Sequence, residues 1–382
     1  MKNFCMYLPP YAPDYSGVCS ALFDLNSLIV IHDAAGCTGN YTGFDEPRWY
    51  GSQKGVYCSG LRKIDVVMGN ECKFVDRIAA AAEQLKPELI AVVGSPVPMV
   101  IGTDFAGLCM DVEAATGIPS FGFAANGTNL YNMGVADASI AMIKKYTKKP
   151  AQRRERTVNI LGATPLDINQ RSMDSLTAWL EDAGYTIGAR FNMGLTLGQV
   201  ETAAESSLNL AISQAGVLVA RYLEERFGMP YVAGLPIGEK GAAQLLRRME
   251  GAPRQAWMPE QGQPCTAVVG DSVLAHAVGD ALAADYGIQN ITAASPFTGK
   301  GDPYGEDTVL LDCEQEVIDF VNSGRYASVI ADPMINELIE AQDDIRYIGL
   351  AQYAISSKLY ADSTGDYISS SFNQLYEREV GQ

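Results

Sequence analysis

Two neighbouring stretches decide the fold: CKFVDRIAAAAEQL (72–85) and ELIAVVGS (88–95). In the first, apolar residues recur at three- and four-residue spacing, which predicts an amphipathic helix. The second is a short apolar run that ends in Gly-Ser, which predicts a buried strand. A further predicted helix, TDFAGLCMDVEAATG (103–117), ends at Gly117, and IPSFGF follows it as the next strand. This alternation is typical of a parallel sheet covered by helices.

The same alternation extends in both directions along the chain. Upstream, IDVVMG (64–69) is predicted to be another strand. Downstream, the pattern restarts at VNILGA (158–163) and again at TAVVGD (266–271), and each restart resembles half of a doubly wound domain. A basic stretch, KKYTKKPAQRRERT (144–157), marks the first boundary. We therefore predict an α/β chain of three Rossmann-like parallel-sheet domains around a central cleft.

The restarts also predict the division of the chain. The four predicted segments are a first α/β domain over 1–150, a second over 151–262, a third over 263–350, and a tail over 351–382 that packs back. In such sheets, loops at the carboxyl ends of the strands form the binding crevice. The stretches expected to line the cleft are GSPVP (94–98), GFAANG (122–127), GATPLD (162–167) and SPFTGKG (295–301).

Composition excludes several classes of partner. The chain has 382 residues, with 28 basic and 45 acidic side chains and a net charge of −17. Nucleic acids and anionic membranes bind clustered Lys and Arg, so neither is expected as a partner. The absence of a signal-like segment and of a long apolar run predicts a cytoplasmic protein. In that reducing compartment the eight cysteines are expected to be thiols or metal ligands.

Cysteine on glycine-rich turns is the feature of this sequence that points to chemistry. The phosphate-binding loop, dinucleotide fingerprint, nucleophile elbow and common zinc spacings are all missing. Cys37, in HDAAGCTGNY (32–41), follows the predicted strand LIVI on a turn whose backbone N–H groups can stabilise a thiolate or sulfide. Cys19 opens an apolar run, and Cys58 lies on the turn VYCSGL. Each is alternatively a small buried apolar residue.

The sequence predicts structural roles for most of the other cysteines, for the two histidines and for Arg48. Cys5 is left without a role, and four cysteines in predicted helices or at strand ends are expected in the core: Cys72, Cys109, Cys265 and Cys313. His32 is expected to be hydrogen-bonded and His276 to lie in the core. Arg48, flanked by acids in DEPRWY, is expected to form a structural salt bridge, although it could also hold an anionic substrate.

In sequence order, several motifs resemble those of the nitrogenase component 1 family, which includes molybdenum–iron protein subunits, a cofactor-assembly scaffold and protochlorophyllide and chlorin reductases. HDAAGC resembles the family's His-Gly-x-x-Gly-Cys turn, and GSPVPMVIGTDF resembles its Cys-x-x-x-x-Ile-Gly-Asp-Asp loop. The other matching stretches are IDVVMGNECKFVDRI, VNILGATP, ARYLEERFGMPYVAGLPIG and VVGDSVLAHAVGDALAADYGI.

The resemblance implies three α/β domains and a dimer of identical or homologous subunits, with an iron–sulfur cluster at the subunit interface. It further implies electron delivery by a separate ATP-hydrolysing iron protein, so no nucleotide is expected on this chain. Cys19 and Cys37 correspond to the first two of the family's three cluster cysteines.

The departures from the family pattern limit this expectation. The third cluster cysteine should fall at Ser95 or Pro96. Ser95 is therefore one candidate ligand through its hydroxyl, Cys58 is another, and a third arrangement takes Cys19 and Cys37 from each of two chains to complete a [4Fe–4S] cluster. Residues 158–262 lack a cysteine to anchor the molybdenum–iron cofactor, and the tail lacks a histidine for it, so dinitrogen reduction is not expected.

Taken together, the residues and the resemblance lead to three hypotheses. The first is a reductase component that passes electrons to an unidentified small molecule. The second is an assembly scaffold for a metal cofactor or tetrapyrrole. The third is a metal-free protein that binds a small ligand.

Overall fold

The computed structural model describes residues 5–52, 54–68, 71–258, 264–297, 302–340 and 344–381. The chain divides into two compact units. The N-terminal unit comprises Tyr11–Thr147 and Phe191–Glu201. The C-terminal unit comprises the segment ending at Pro10, Lys148–Arg190 and the chain from Thr202 onward. These units are defined by contacts within the folded chain, whereas the predicted domains were defined by where the strand–helix pattern begins again. The predicted division into domains therefore stays a prediction.

The N-terminal unit is built on a four-stranded parallel sheet of order β2-β1-β3-β4. Its elements in chain order are α1 Asp14–Leu22, β1 Ser27–Ile31, α2 Gly36–Asn40, β2 Val56–Cys58, α3 Lys63–Met68, α4 Glu71–Leu85, β3 Leu89–Val93, α5 Pro96–Val100, α6 Phe105–Thr116, β4 Ser120–Phe123 and α7 Tyr131–Tyr146. A π-helix at Tyr41–Asp45 continues α2. The strand predicted over 88–95 and the helices predicted over 72–85 and 103–117 are confirmed.

The core of this unit forms because α4 and α6 bury their apolar stripes against strands that are apolar throughout. Strand β3 is fully buried along its length. Phe74 and Ile78 of α4 and Leu108 and Val112 of α6 pack in the same cluster. Asp104 caps α6 by accepting the amides of residues 106 and 107, which satisfies groups that a helix start leaves unpaired.

The strand predicted at IDVVMG (64–69) is wrong. Residues Lys63–Met68 form α3, and residue 69 lies outside the described residues. Ile64, Val67 and Met68 are 61%, 72% and 70% exposed. Apolar residues at positions 64, 67 and 68 have helical spacing, and a run this short does not distinguish a strand from a helix.

The first sheet of the C-terminal unit is also parallel, of order β6-β5-β7-β8. The elements from residue 154 to residue 249 are β5 Arg154–Leu161, α8 Gln170–Asp182, β6 Thr186–Arg190, α9 Leu197–Thr202, β7 Ser206–Ala211, α10 Gln214–Phe227, β8 Tyr231–Ala233 and α11 Glu239–Met249. The predicted end of a helix at Gly228 is confirmed: this residue caps α10 at a φ of 67°.

The second sheet of this unit has five parallel strands of order β11-β10-β9-β12-β13. The remaining elements are β9 Cys265–Val269, α12 Ser272–Tyr286, β10 Ile291–Ser295, β11 Thr308–Leu310, α13 Glu314–Val321, β12 Tyr326–Ala331, α14 Pro333–Asn336, β13 Arg346–Gly349, α15 Tyr353–Ser356 and α16 Ser370–Val380. Of the stretch SPFTGKG (295–301), residues 298–301 lie outside the described part of the chain.

The tail contacts the regions around both sheets of the C-terminal unit: beside the second sheet, Gln352 accepts the amide of Asp271, which follows β9, at 3.1 Å. The Asn169 amide donates to the carbonyls of Thr364 and Gly365, and Ser175 Oγ donates to Asp366 at 2.6 Å. The amide of Ala354 donates to Leu166 O at 3.1 Å. These bonds explain why residues from the second and third predicted domains belong to one compact unit.

Among the described residues, no helix has both the length and the apolar character needed to cross a bilayer.

Candidate functional site

The candidate site lies at the carboxyl edge of the first sheet, where parallel strands end side by side. Ile31 of β1 is in register with Cys58 of β2 and with Val93 of β3. The residues that follow these strand ends therefore share one edge. They include the turn that carries Cys37.

Asp33 organises that turn. Its carboxylate accepts the backbone amides of Ala35 at 2.9 Å and Thr38 at 3.1 Å. Ala35 has a φ of 125°, which is strained for a residue with a side chain. The carboxylate bonds help to hold this conformation, and Cys37 follows in the first turn of α2.

Cys37 is half-buried and contacts two hydroxyl groups. Burial and the Asp33 carboxylate raise the pKa of the Cys37 thiol, whereas the nearby Tyr15 and Ser95 side chains oppose that rise. Ser95 is fully buried, and its Oγ also donates to His32 O at 2.8 Å. Two of the residues predicted from the sequence, Cys37 and Ser95, are thus neighbours.

Cys19 lies in a different environment. It is 0% exposed on α1, and burial together with the Glu46 carboxylate raises its pKa well above the usual thiol range. The Tyr41 hydroxyl donates to Glu46 at 3.2 Å, and Cys19 contributes to the raised pKa of Tyr41. Cys19 is therefore enclosed among ionisable groups rather than in a purely apolar core.

The surroundings of the two thiols are related by helix geometry. Tyr15 precedes Cys19 by four residues on α1, and Tyr41 follows Cys37 by four residues. Residues four apart lie on one face of a helix, about 6 Å along its axis. Tyr15 interacts with Cys37, and Tyr41 interacts with Cys19. Each cysteine thus affects the titration of the tyrosine that lies four residues from the other cysteine.

Cys58 lies at the same sheet edge with its own set of contacts. Its Sγ donates to Asp33 O and accepts the amide of Gly60, both at 3.3 Å. Asp33 thus contacts both turns, through its carboxylate on the Cys37 side and its carbonyl on the Cys58 side. Cys58 is half-buried and shares this neighbour with Cys37.

Arg48 forms the structural salt bridge that the sequence predicts. Its guanidinium contacts Glu46 at 2.7 Å and Asp24 at 3.0 Å, and it donates to the carbonyls of Ser20 and Asn192. Its side chain is 18% exposed and that of Glu46 is 0% exposed. With these four acceptors its donors are committed inside the protein.

Both histidines are hydrogen-bonded, as was expected for His32. His32 Nδ1 lies 3.0 Å from Ser59 Oγ, and burial lowers the pKa of His32. A cavity of about 70 Å³ adjoins the side chains of His32 and Ser59 and is also lined by Arg77 and Thr103. This volume is enough for about two water molecules. His276 is fully buried, as predicted, with its ring stacked 3.7 Å from that of Tyr304.

The core assignments of the remaining cysteines hold only in part. Cys109 is buried, whereas Cys72 is exposed on α4, so the core prediction for Cys72 is wrong. Cys265 and Cys313 are half-buried. The sequence patterns did not indicate the interaction of Tyr15 with Cys37 or the position of Glu46 beside Cys19. The four-residue spacing from Tyr15 to Cys19 was the one available signal.

Comparison with known proteins places this chain in a family. The profile of nitrogenase component 1 type oxidoreductases matches residues 15–261, which is more than half of the chain. The chain belongs to this family. The match begins at Tyr15 and includes Cys19, Cys37, Cys58 and Ser95.

Curated relatives of the component 1 family match about half of the chain. A light-independent protochlorophyllide reductase subunit from Zygnema circumcarinatum is 24% identical over 193 residues, covering 48% of this chain and 38% of the relative. The nitrogenase molybdenum-iron protein alpha chain of Clostridium pasteurianum is 25% identical over 202 residues, covering 51% and 36%. The nitrogenase iron-molybdenum cofactor biosynthesis protein NifE of Rhodobacter capsulatus is 27% identical over 245 residues, covering 59% and 49%.

A solved component 1 structure confirms the fold. Nitrogenase Cp1 at pH 5 matches all of this chain and 90% of its own, with a TM-score of 0.72 and 18% identity. Nitrogenase Cp1 at pH 6.5 matches with a TM-score of 0.66 and 16% identity. By contrast, the chain spans only about a third to a half of the length of the curated relatives above.

The thiols near the first sheet edge can be compared with the ligand set that an iron–sulfur cluster requires. Within the described ranges, no group of three or more His, Cys, Asp or Glu side chains is arranged to hold a metal ion. Cys37 fits a cluster ligand, because it is half-buried at a sheet edge and the nearby Tyr15 and Ser95 side chains favour its thiolate. Cys19 lies on α1 four residues after Tyr15 and is fully buried in the single chain.

Proposed function

We propose that this chain is the component 1-type subunit of a nitrogenase-like reductase. In this proposal two subunits, identical or homologous, hold an iron–sulfur cluster at their interface through Cys37 and Cys19 of each. The electrons come from a separate ATP-hydrolysing iron protein and go to a small molecule other than dinitrogen. The observation that carries the proposal is the family match, which begins at Tyr15 and includes both cysteines.

The surroundings of Cys37 support its role as a ligand. A thiolate is the form that binds iron, and hydrogen bonds to that form stabilise it. The hydroxyl groups of Tyr15 and Ser95 act in this direction on Cys37. Ser95, whose hydroxyl donates to His32 O, lies beside Cys37 at one of the two positions where the family pattern has its third cysteine.

The position of Cys19 supports a second ligand. Its side chain is enclosed in the single chain, and its raised pKa means that the thiol holds its proton until a metal displaces it. Cys19 is coupled to Tyr41 and Cys37 to Tyr15, so each thiol interacts with the tyrosine four residues from the other. Two such thiols from each of two chains supply the four ligands that a [4Fe–4S] cluster requires.

When bound, the cluster would supply one-electron transfer. The residues of this chain would hold it, exclude water from Cys19 and place donors at the sulfur of Cys37. The sequence between 158 and 262 has no cysteine to anchor a molybdenum–iron cofactor, so we propose a different substrate.

Anaerobic purification followed by iron analysis tests this proposal. We expect about four irons per dimer and a thiolate-to-iron absorption band. Cys37→Ala should remove both. Cys19→Ala should also remove the iron if Cys19 is a ligand, whereas a purely structural role would lower the stability and leave the iron in place.

Cys72→Ser is the matched control, because Cys72 is an exposed thiol on α4 of the same unit. It should keep the full iron content. The cluster proposal would be overturned if the wild-type protein contained no iron after anaerobic preparation and was as stable as the Cys37→Ala variant. The remaining hypothesis would then be a metal-free ligand-binding protein.

A second function, an assembly scaffold, is favoured by one observation. Of the three relatives compared, the biosynthesis protein NifE matches the largest share of this chain, at 59%. A scaffold would release its cargo once and unaltered. A reductase would consume ATP and electrons repeatedly with its iron-protein partner, so multiple-turnover assays with that partner distinguish the two.

A further inference from the structure

The described chain begins with a short segment that is held by one carboxylate. Glu314, the first residue of α13, accepts the backbone amides of Met6 at 2.7 Å, Tyr7 at 2.9 Å and Leu8 at 2.7 Å. Glu314 is only 8% exposed, and Leu8 is 4% exposed. Burial raises the pKa of Glu314, but the three amides outweigh it and lower the pKa overall. The segment is therefore fixed to the start of α13 by a charged group.

A cysteine lies directly before each partner in this contact. Cys5 precedes Met6, and Cys313 precedes Glu314. Cys5 is exposed, Cys313 is half-buried, and both thiols are free. Cys313 is the residue before α13, and its side chain makes no capping hydrogen bond. The Met6–Glu314 hydrogen bond thus holds the two cysteine-bearing backbones near each other.

The electrostatics of Cys5 agree with this proximity. Burial, the Glu314 carboxylate and the Cys313 thiol each raise the pKa of Cys5. A thiol affects the titration of another only at short range. Neither cysteine lies in the segment that matches the component 1 profile, and neither is a proposed cluster ligand.

We propose that Cys5 and Cys313 form a reversible disulfide that covalently ties the N-terminal segment to α13. The oxidant is a low-molecular-weight disulfide. The thiolate of one cysteine attacks it, forming a mixed disulfide and releasing one small thiol. The second cysteine then displaces the other small thiol and closes the protein disulfide. The two protein thiols lose two electrons and two protons in total, and the small disulfide is reduced to two thiols.

The bond would act as a clamp that responds to the redox state of the surroundings. In a reducing compartment both thiols stay free, and the segment is held by Glu314 alone. Under oxidising conditions the bond closes one very large loop and restrains the segment further. Excess small thiol reverses it. This inference goes beyond the proposed function, since it does not require a cluster.

Mass spectrometry on the full-length protein tests the proposal. The protein is treated with oxidised glutathione and digested with pepsin at low pH, which prevents thiol exchange. The wild type should yield the Cys5 peptide linked to the Cys313 peptide, lighter than their sum by two hydrogens. Amide exchange at Met6–Leu8 should slow by about tenfold or more relative to the reduced protein.

Four variants make the result specific. Cys5→Ser and Cys313→Ser should each lose the linked peptide and carry glutathione on the remaining thiol. Cys72→Ser removes an exposed thiol in the N-terminal unit and should keep the link. Glu314→Gln keeps both thiols but weakens the hydrogen bonds to the segment, so its link should form several-fold more slowly.

Two outcomes would overturn the proposal. One is wild-type protein that carries glutathione on both Cys5 and Cys313 with no link between them. The other is a link found only between two chains, in covalent dimers. Iron content is measured on the same samples, so failure of the disulfide is distinguishable from failure of the cluster proposal.

Discussion

Arg48 shows, at the scale of a single residue, how buried charge organises the region next to Cys19. Its guanidinium joins Glu46, Asp24 and the carbonyl of Ser20, and Glu46 in turn accepts hydroxyl groups from Ser20 and Tyr41. The Glu46 side chain has no exposure to solvent. Its charge therefore depends on Arg48 for compensation.

Replacing Arg48 by Met should destabilise the protein by about 3 kcal/mol, because it leaves the Glu46 carboxylate buried and uncompensated. Urea denaturation followed by circular dichroism measures the loss. Arg378→Met is the control, since Arg378 pairs with Glu379 on an exposed helix face where an ion pair contributes little. Equal losses in the two variants would contradict this account of the network.

Single residues also show which features of the site local sequence patterns predict and which they do not. The turn around Cys37 could be identified because a cysteine after Gly-rich residues and a strand is a local pattern. The exposure of Cys72 could not be predicted in this way. The amphipathic pattern of α4 predicts a helix, but it does not determine whether the position of Cys72 faces the core or the solvent. The contact of Glu46 with Cys19 joins residues far apart in sequence, and no spacing indicates it.

At the scale of elements, α1 and α7 pack unusually closely because glycines form their contact. A Cβ atom added to Gly17 of α1 would lie 2.0 Å from Tyr131 O, and one added to Gly134 of α7 would lie 1.9 Å from Asp14 O. Both acceptors belong to helix backbones, which cannot yield as side chains do. The position of α1, and with it Cys19, thus depends on these two glycines.

Gly17→Ala should therefore destabilise the protein by about 3 kcal/mol through steric overlap with α7. Gly198→Ala is the matched control, because Gly198 lies in a helix of the same unit with open space around its Cβ position. That change should be neutral or stabilising by up to about 1 kcal/mol. Thermal unfolding of both variants decides the matter, and an unaffected Gly17→Ala protein would show that α1 can shift freely.

At the scale of the whole molecule, Asp271 joins the two sheets of the C-terminal unit. It follows β9, caps α12 through the amide of Val273 at 2.9 Å, and accepts the amide of Gln214 at the start of α10 at 3.0 Å. Burial raises the pKa of Asp271 from 3.8 to about 6, although these amides oppose the shift. The nearby Asp302 carboxylate adds to the rise.

This raised pKa predicts a specific pH dependence of stability. The folded protein binds the Asp271 proton more tightly than the unfolded chain, so this contribution is complete below about pH 4 and is lost as the pH rises through 6. Asp271→Asn should remove on the order of 2 kcal/mol of the decrease in unfolding free energy between pH 4.5 and 7.5. Urea titrations across this range measure it.

The exposed Asp174→Asn variant serves as the control for that titration and should leave the pH dependence unchanged. Parallel curves for the wild type and Asp271→Asn would mean that Asp271 keeps its ordinary pKa in the folded state. The absolute stability of Asp271→Asn is a poorer criterion, because the amide side chain has one fewer acceptor oxygen.

The sequence by itself determined the class of fold and its repetition. Alternating apolar strands and amphipathic helices, with ends such as Gly117 and Gly228, are local patterns, because period and capping depend on neighbouring residues. The order of the family motifs determined the family and pointed to Cys37. The short run at 64–68 failed, because its spacing fits a helix and a strand equally.

Only the tertiary structure decided which residues meet. It brought Tyr15 and Ser95 to Cys37, enclosed Cys19 beside Glu46, and fixed Cys5 near Cys313 through Glu314. It also assigned Phe191–Glu201 to the N-terminal unit, where Asn192 donates to Ser139 at 3.0 Å. Such contacts join residues tens to hundreds of positions apart. They arise from the packing of the whole chain, which local sequence patterns do not encode.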